Sequence, residues 1–317
     1  MKNLIKISLF VFIALGIMSC SDDDNPNPDP QTNTIADFVA SNDDYSSLKA
    51  ALDKAGLTAT LAGQGEFTVF APNNDAFAAF LTANGFATLD DVPVDLLTNV
   101  LLNHVVIGKL MAADLTTGYV NTLATEASTG SNLSLYVNTS SGVKLNGVST
   151  VTTADVAADN GVIHAVNTVI GLPTVVTFAT ADPTFSTLVT ALTRADQPDF
   201  VSVLSTPEGT SPTPFTVFAP TNDAFADLIT ELEINGLADI DGPTLTAALN
   251  THVIAGANVR AEDLVNGTVS TLGDDLIINA PNATITDPNG RVSNIIVVNV
   301  QAANGVVHAI DKVLLPQ

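Results

Sequence analysis

Residues 67–77 read FTVFAPNNDAF and residues 215–225 read FTVFAPTNDAF, ten identities in eleven positions, 148 residues apart. A match of that length means the chain carries a duplicated unit, so whatever fold it adopts has to be built twice. The rest of the sequence aligns around these anchors. NHVVIGK (103–109) answers THVIAGA (251–257), and NGVIHAVNTVIGLP (160–173) answers NGVVHAIDKVLLP (304–316). All four histidines therefore occupy two equivalent positions per copy: His104 with His252, and His164 with His308. We place the units at 33–173 and 174–317, each about 140 residues, a normal size for an independent domain. Folding at that size buries roughly 68% of the chain's surface, enough for a core without disulfides. The join at Gly171–Thr174 is too short for a free linker, so the units are expected to abut.

The repeated motif reads as a corner. Phe67, Val69 and Ala71 alternate with Thr68 and Phe70 in a segment rich in aromatic and β-branched residues, which suits a buried strand. Pro72 removes a ladder donor and ends it. Asn73 or Asn74 can then cap a helix, with Asp75 favourable in the positive first turn. Asn222 and Asp223 hold the equivalent places in the second copy. In the second helix Phe225, Leu228, Ile229 and Leu232 form one apolar stripe at helical spacing. The motif thus requires no nucleophile or base to explain it.

Elsewhere each unit opens with helical spacing (Tyr45, Leu48, Leu52; Phe178, Phe185, Leu188, Leu192), and Pro93 and Pro243 sit where a helix starts. After His104 and His252 the pattern changes to short alternating segments such as NLSLYVN, VIHAV, IIVVNV and VVHAI, with Gly, Asn and Asp turns. Helices first and antiparallel strands later predict an α+β unit.

The ends follow different rules. Lys2, Lys6 and the apolar run Leu9–Ile17 predict a secretory signal over residues 1–19, too short for a spanning helix. Cys20, the one cysteine of the chain, follows it directly, and the segment resembles a bacterial lipoprotein processing site. That resemblance implies cleavage before Cys20, lipidation of Cys20 and membrane attachment through the lipid. Residues 20–32 form an acidic, proline-rich tether. Ser21 followed by Asp22–Asp24 fits an acidic surface-export tag and a plain solvated spacer equally. Outer-membrane placement in a Gram-negative bacterium, displayed outward, is the expected location.

Removing residues 1–19 leaves 8 basic against 33 acidic side chains, a net −25. Such a chain is repelled by nucleic acid and by anionic membrane surfaces.

Taken together, TVFAPTNDAF, the mid-domain His-Val motif and the terminal NGVVHAIDKVLLP resemble the fasciclin domain, with both signature blocks present in both copies. The resemblance implies two tandem domains, each a β-sandwich or wedge with several helices packed on one side. It also implies adhesion or matrix interaction without catalysis or cofactor. The family's mid-domain recognition motif is commonly Tyr-His; His104 and His252 match the histidine, whereas Asn103 and Thr251 replace the tyrosine. These four residues are the candidate interaction site, and the longer 196–214 segment of the second copy is the next choice. His164 and His308 match the terminal block's histidine and Asp311 its acidic position, where the first copy has Asn167.

Other chemistry finds less support. Two histidines per copy could be half of a metal site, but a His flanked by Val or Ile is more often a packed neutral ring, and no HExxH or close His/carboxylate cluster accompanies them. The DIDG at 239–242 lacks the spacing of an EF-hand. No GxSxG, phosphate loop or nucleophilic cysteine is present. With three Tyr and no Trp, stacking platforms for sugars are scarce. An envelope protein binding a glycan or small ligand is the alternative to adhesion; a pocket with convergent polar groups would favour it, and a convex apolar face would favour adhesion.

Overall fold

The computed structural model describes residues 33–317. The expected signal peptide, Cys20 and the tether therefore lie outside the described residues. In the first copy, helices α1 (Ile35–Ser41), α2 (Ser46–Ala55) and α3 (Thr58–Ala62) precede strand β1 (Phe67–Pro72), then α4 (Asn74–Ala83) and α5 (Val94–Leu102). Strands β2 (Val105–Ile107), β3 (Gly118–Thr125), β4 (Asn132–Asn138), β5 (Lys144–Leu145), β6 (Ser149–Ala158) and β7 (Gly161–Val166) complete it. The second copy repeats the order with α6 (Val175–Ala181), α7 (Ser186–Leu192), α8 (Phe200–Leu204), β8 (Phe215–Pro220), α9 (Asn222–Glu231) and α10 (Gly242–Thr251). Its strands are β9 (Val253–Ala255), β10 (Gly267–Val269), β11 (Leu276–Asn279), β12 (Thr284–Thr286), β13 (Val292–Ala302) and β14 (Gly305–Ile310). The α+β class expected from the sequence is the one observed.

The motif strand lies at the centre of each copy. β1 pairs antiparallel with β2, and parallel with β7 from Phe67↔Gly161 to Pro72↔Val166; β8 and β14 match it from Phe215↔Gly305 to Pro220↔Ile310. The sequence reading expects only antiparallel strands, and this parallel pair corrects it. The physical reason is burial on both faces: β7 and β14 are buried along their whole length, as a parallel pair covered on two sides requires. Val69 and Ala71 face the helices, packing with Leu48, Leu52, Phe77 and Leu97. Phe70 faces the other way, into the curled sheet with Val106, Leu135, Leu145 and Ile170. Each copy thus holds two cores separated by its motif strand.

In the first copy the seven strands close into a barrel, the last link being Val106↔Thr122. In the second they form an open sheet ordered β10-β11-β12-β13-β14-β8-β9. The helices pack on the β1/β7 side, as the wedge expectation has it.

Residues 33–317 pack as one unit. The outer face of β3 and β4 in the first copy is covered by the second. Tyr136 joins the second copy's apolar cluster with Val175 and Phe178, and Tyr119 meets Phe178 edge-on at 5.6 Å. Polar bonds cross the same seam: Tyr119 OH donates to Asp182 Oδ2 at 3.0 Å, and Gln301 N–H to Ser134 Oγ at 3.0 Å. No single helix among the described residues is long and apolar enough to cross a membrane.

Candidate functional site

The expected mid-domain interaction residues are interior. Asn103 and Thr251 are fully buried, and His104 and His252 are 2% and 3% exposed. They sit where α5 and α10 end, and that position explains their burial. His104 Nδ1 bonds the carbonyl of Val100 one turn back at 2.8 Å, while Nε2 accepts the N–H of Ile170 at 2.9 Å. His252 does the same with Ala248 at 2.7 Å and Leu314 at 2.9 Å. Since Nε2 accepts, Nδ1 carries the proton, and the ring is a neutral bracket holding each copy's C-terminal segment against a helix end. Burial pushes both rings down to about 4. Asn103 spends its amide on the carbonyls of Ile170 and Gly171, and Thr251 donates to Ala247. A partner at the surface touches none of these four directly, which corrects the sequence expectation.

The terminal-block histidines are brackets of the opposite tautomer. His164 Nε2 donates to Leu110 O at 2.9 Å and Nδ1 accepts Asp155 N–H at 3.2 Å. His308 pairs with Val259 O at 2.9 Å and Asn299 N–H at 3.4 Å. Burial lowers the His308 pKa. Asp155 and Asn299 stand at positive φ of 62° and 59°, in the β-bulges that the rings bridge. All eight ring nitrogens are thus engaged with backbone, so none of the rings is poised as a base. No group of three or more metal-ligating side chains is assembled among the described residues.

The motif's polar residues divide two tasks. Asn73 and Thr221 are the caps, accepting Ala76 N–H at 2.9 Å and Ala224 N–H at 3.3 Å. Asn74 instead ties two helices. Its Oδ1 accepts Ser47 N–H at 2.9 Å and its Nδ2 donates to Asp43 O at 2.8 Å. Asn222 repeats this with Thr187 at 2.9 Å and Pro183 at 2.9 Å. Asp75 and Asp223 occupy the first helical turn. Sequence reasoning passed over Asn160 and Asn304, whose buried amides bond Ile35, Leu61 and Gly63, and Val175, Leu204 and Thr206. Their signal was available: both precede Gly in the terminal block of each copy.

Two surface features remain. The first is a groove between two helices and the C-terminal segment of each copy, α4 and α5 in the first and α9 and α10 in the second. In the second copy it is about 400 Å³ and includes Leu228, Thr244, Ala248, Val313 and Pro316. In the first copy it reaches about 790 Å³, because Ser205, Pro207, Glu208 and Ala303 of the second copy add a wall facing Ala79, Phe80, Ala83, Leu96 and Leu172. The 196–214 segment thus faces the first copy across this cleft, and Glu208 Oε1 accepts Ala127 N–H at 2.7 Å. The second is the outer sheet face of the second copy, where Ile277 on β11 and Val292 and Ile296 on β13 are 48–54% exposed, with Val297 and Val298 at 42% and 46% in the irregular stretch of β13 that follows. The first copy has Thr152, Thr153 and Ala154 at the positions of Ile296–Val298.

A family model described as the fasciclin domain matches residues 43–173 and 183–316. Protein sll1483 of Synechocystis is 42% identical over 137 residues, 43% of this chain and 72% of that protein. Cell surface glycolipoprotein MPB83 of Mycobacterium bovis is 38% identical over 144 residues, 45% of this chain and 60% of its own length. A solved FAS1 domain pair from the insect cell adhesion molecule Fasciclin I aligns with 84% of this chain and 92% of that one, at 22% identity and a TM-score of 0.47.

Proposed function

From the premise that the chain belongs to the fasciclin domain family, we propose that it is a non-enzymatic, surface-displayed adhesion or matrix-interaction protein anchored through a lipid on Cys20. Fasciclin domains occur in cell-adhesion and cell-surface proteins. A relative whose name describes a cell surface glycolipoprotein supports the anchor. Display on the outer membrane of a Gram-negative cell remains part of this proposal.

The observation that carries the adhesion reading is the exposed aliphatic face of the second copy. Ile277 on β11 and Val292 and Ile296 on β13 lie on one face on either side of β12, with Val297 and Val298 exposed in the irregular stretch that follows. Aliphatic surface left open to water forgoes about 25 cal/mol for each Å² uncovered, and a cluster of this kind is a usual mark of a protein contact. The equivalent strand of the first copy has Thr and Ala there, so the fold itself does not require the aliphatic residues.

The test replaces Ile277 and Ile296 by Lys, changes that leave the interior untouched. Cells carrying the double variant are expected to lose surface attachment and biofilm while displaying the protein at the wild-type level. Attachment equal to wild type removes this reading.

A second reading has its own observation: the cleft of about 790 Å³ between the copies lies in the size range of small-molecule sites, which favour domain boundaries. Its lining is mostly apolar, so an apolar ligand suits it better than a glycan.

A further inference from the structure

The two copies diverge where the cleft is lined. Ala79, Ala83 and Leu96 of the first copy stand at the positions of Asp227, Glu231 and Thr244 in the second. The second copy shows what the fold alone asks for: α9 turns charged residues to solvent, and Glu231 pairs with Arg291 at 2.7 Å. In α4 the same side carries Ala79, Phe80 and Ala83, with both alanines exposed and all three lining the cleft opposite Pro207 and Ala303 of the second copy. A helix side that is charged in one copy and bare of charge in the other, only where a second wall faces it, is shaped for an apolar occupant.

The charge at the cleft selects among apolar occupants. Glu208 is the one ionisable side chain lining it. Glu208 Oε1 is fixed by Ala127 N–H at 2.7 Å. Burial and the neighbouring Glu126 raise the Glu208 pKa, so a cation beside it relieves an existing repulsion. No Lys, Arg or His lines the cleft to receive an anion.

We propose that the cleft between α4 and the 205–208 segment binds a cationic amphiphile, its unbranched alkyl chain lying along Ala79, Phe80 and Ala83 and its ammonium head against the Glu208 carboxylate. This rests on the second reading above, and it is independent of the outer sheet face. An alkyl carboxylate or phosphate would bring a third negative charge beside Glu126 and Glu208 with no cation to offset it. A neutral alcohol keeps the chain contact and loses the ion pair.

Titration calorimetry of the full chain at pH 7 with dodecylammonium, dodecanol and dodecanoate tests this. Dodecylammonium is expected to bind at one per chain, about tenfold tighter than dodecanol, with dodecanoate weaker than both. The double variant Ala79→Asp/Ala83→Glu installs the second copy's own residues, so it retains the fold, as its melting temperature will show. It should abolish binding even though the added acids would strengthen any diffuse attraction for a cation. Glu208→Gln should bring dodecylammonium to the level of dodecanol. Equal affinity of amine and alcohol for the wild type overturns the proposal while leaving a small-ligand site in place. Binding that survives Ala79→Asp/Ala83→Glu, or no binding of any of the three, overturns both.

Discussion

At the scale of single residues, the histidines at the two helix ends, His104 and His252, govern how the molecule responds to acid. His104 and His252 are held near 4 by burial, below the ordinary value of about 6.5 in an unfolded chain. The sign follows from proton linkage. The unfolded chain binds the protons more readily, so stability is fully present above about pH 6.5 and falls as pH drops toward 4. The loss approaches about 3 kcal/mol for each ring. Melting curves between pH 7 and 4 should therefore show a falling transition temperature, and proton NMR should show neither ring titrating above pH 5. Replacing His104 by Ala strands the Ile170 N–H and the Val100 carbonyl in the interior, a cost of about 3 kcal/mol measurable by urea unfolding. The alignment shows the pairing of these histidines plainly. Their burial is not legible, because Asn-His-Val reads the same on a surface as at a helix end, and the second partner of each ring lies 62 to 66 residues away.

At the scale of elements, the doubled motif works as a strand, a cap and a helix joined at a fixed angle. Its local part was readable: Pro72 ends β1, and Asn73 and Thr221 cap the helices that follow. The parallel partner of β1 was not, since pairing of Phe67 with Gly161 joins residues from opposite ends of a copy and leaves no periodic trace. Its sequence correlate is the glycine itself. A Cβ on Gly161 would collide with the Phe67 carbonyl oxygen, and one on Gly305 with that of Phe215. Gly161→Ala is thus expected to separate β1 from β7 and leave the first copy unfolded at 37 °C, visible as lost far-ultraviolet dichroism. Asn74→Ala tests the helix tie more gently. It removes the bonds to Ser47 and Asp43 and should cost about 2 kcal/mol. Asp75→Asn, which alters only the interaction with the helix terminus, should cost about 0.5 kcal/mol.

At the scale of the whole molecule, the question is whether two copies act as two modules or as one. The covering of β3 and β4 answers it. Asp182 of the second copy, 8% exposed, accepts the hydroxyl of Tyr119, and burial together with this carboxylate pushes the Tyr136 pKa up to about 12. Both phenols therefore stay protonated and able to donate at any physiological pH. Glu126, 1% exposed, sits at the same seam; burial works to raise its pKa, but hydrogen bonds from Ser128 and Thr129 outweigh it and leave the group ionised. The side chains that make this joint are not repeated. Asn42 stands where the second copy has Asp182, the acceptor of the Tyr119 hydroxyl, so the alignment of copies could not announce the joint, and the same asymmetry confines this bond to one pairing. A surface carried by such a body moves as a unit, and its cleft keeps its width only while the joint holds. Tyr136→Ala takes a side chain out of the second copy's core cluster and should weaken the coupling by about 3 kcal/mol. The wild type is expected to unfold in a single calorimetric transition and the variant in two, with the second copy melting first because the lost side chain belongs to its core cluster. If the wild type already melts in two steps, the copies are coupled too weakly for either the cleft or the outer sheet face to be held in a fixed place.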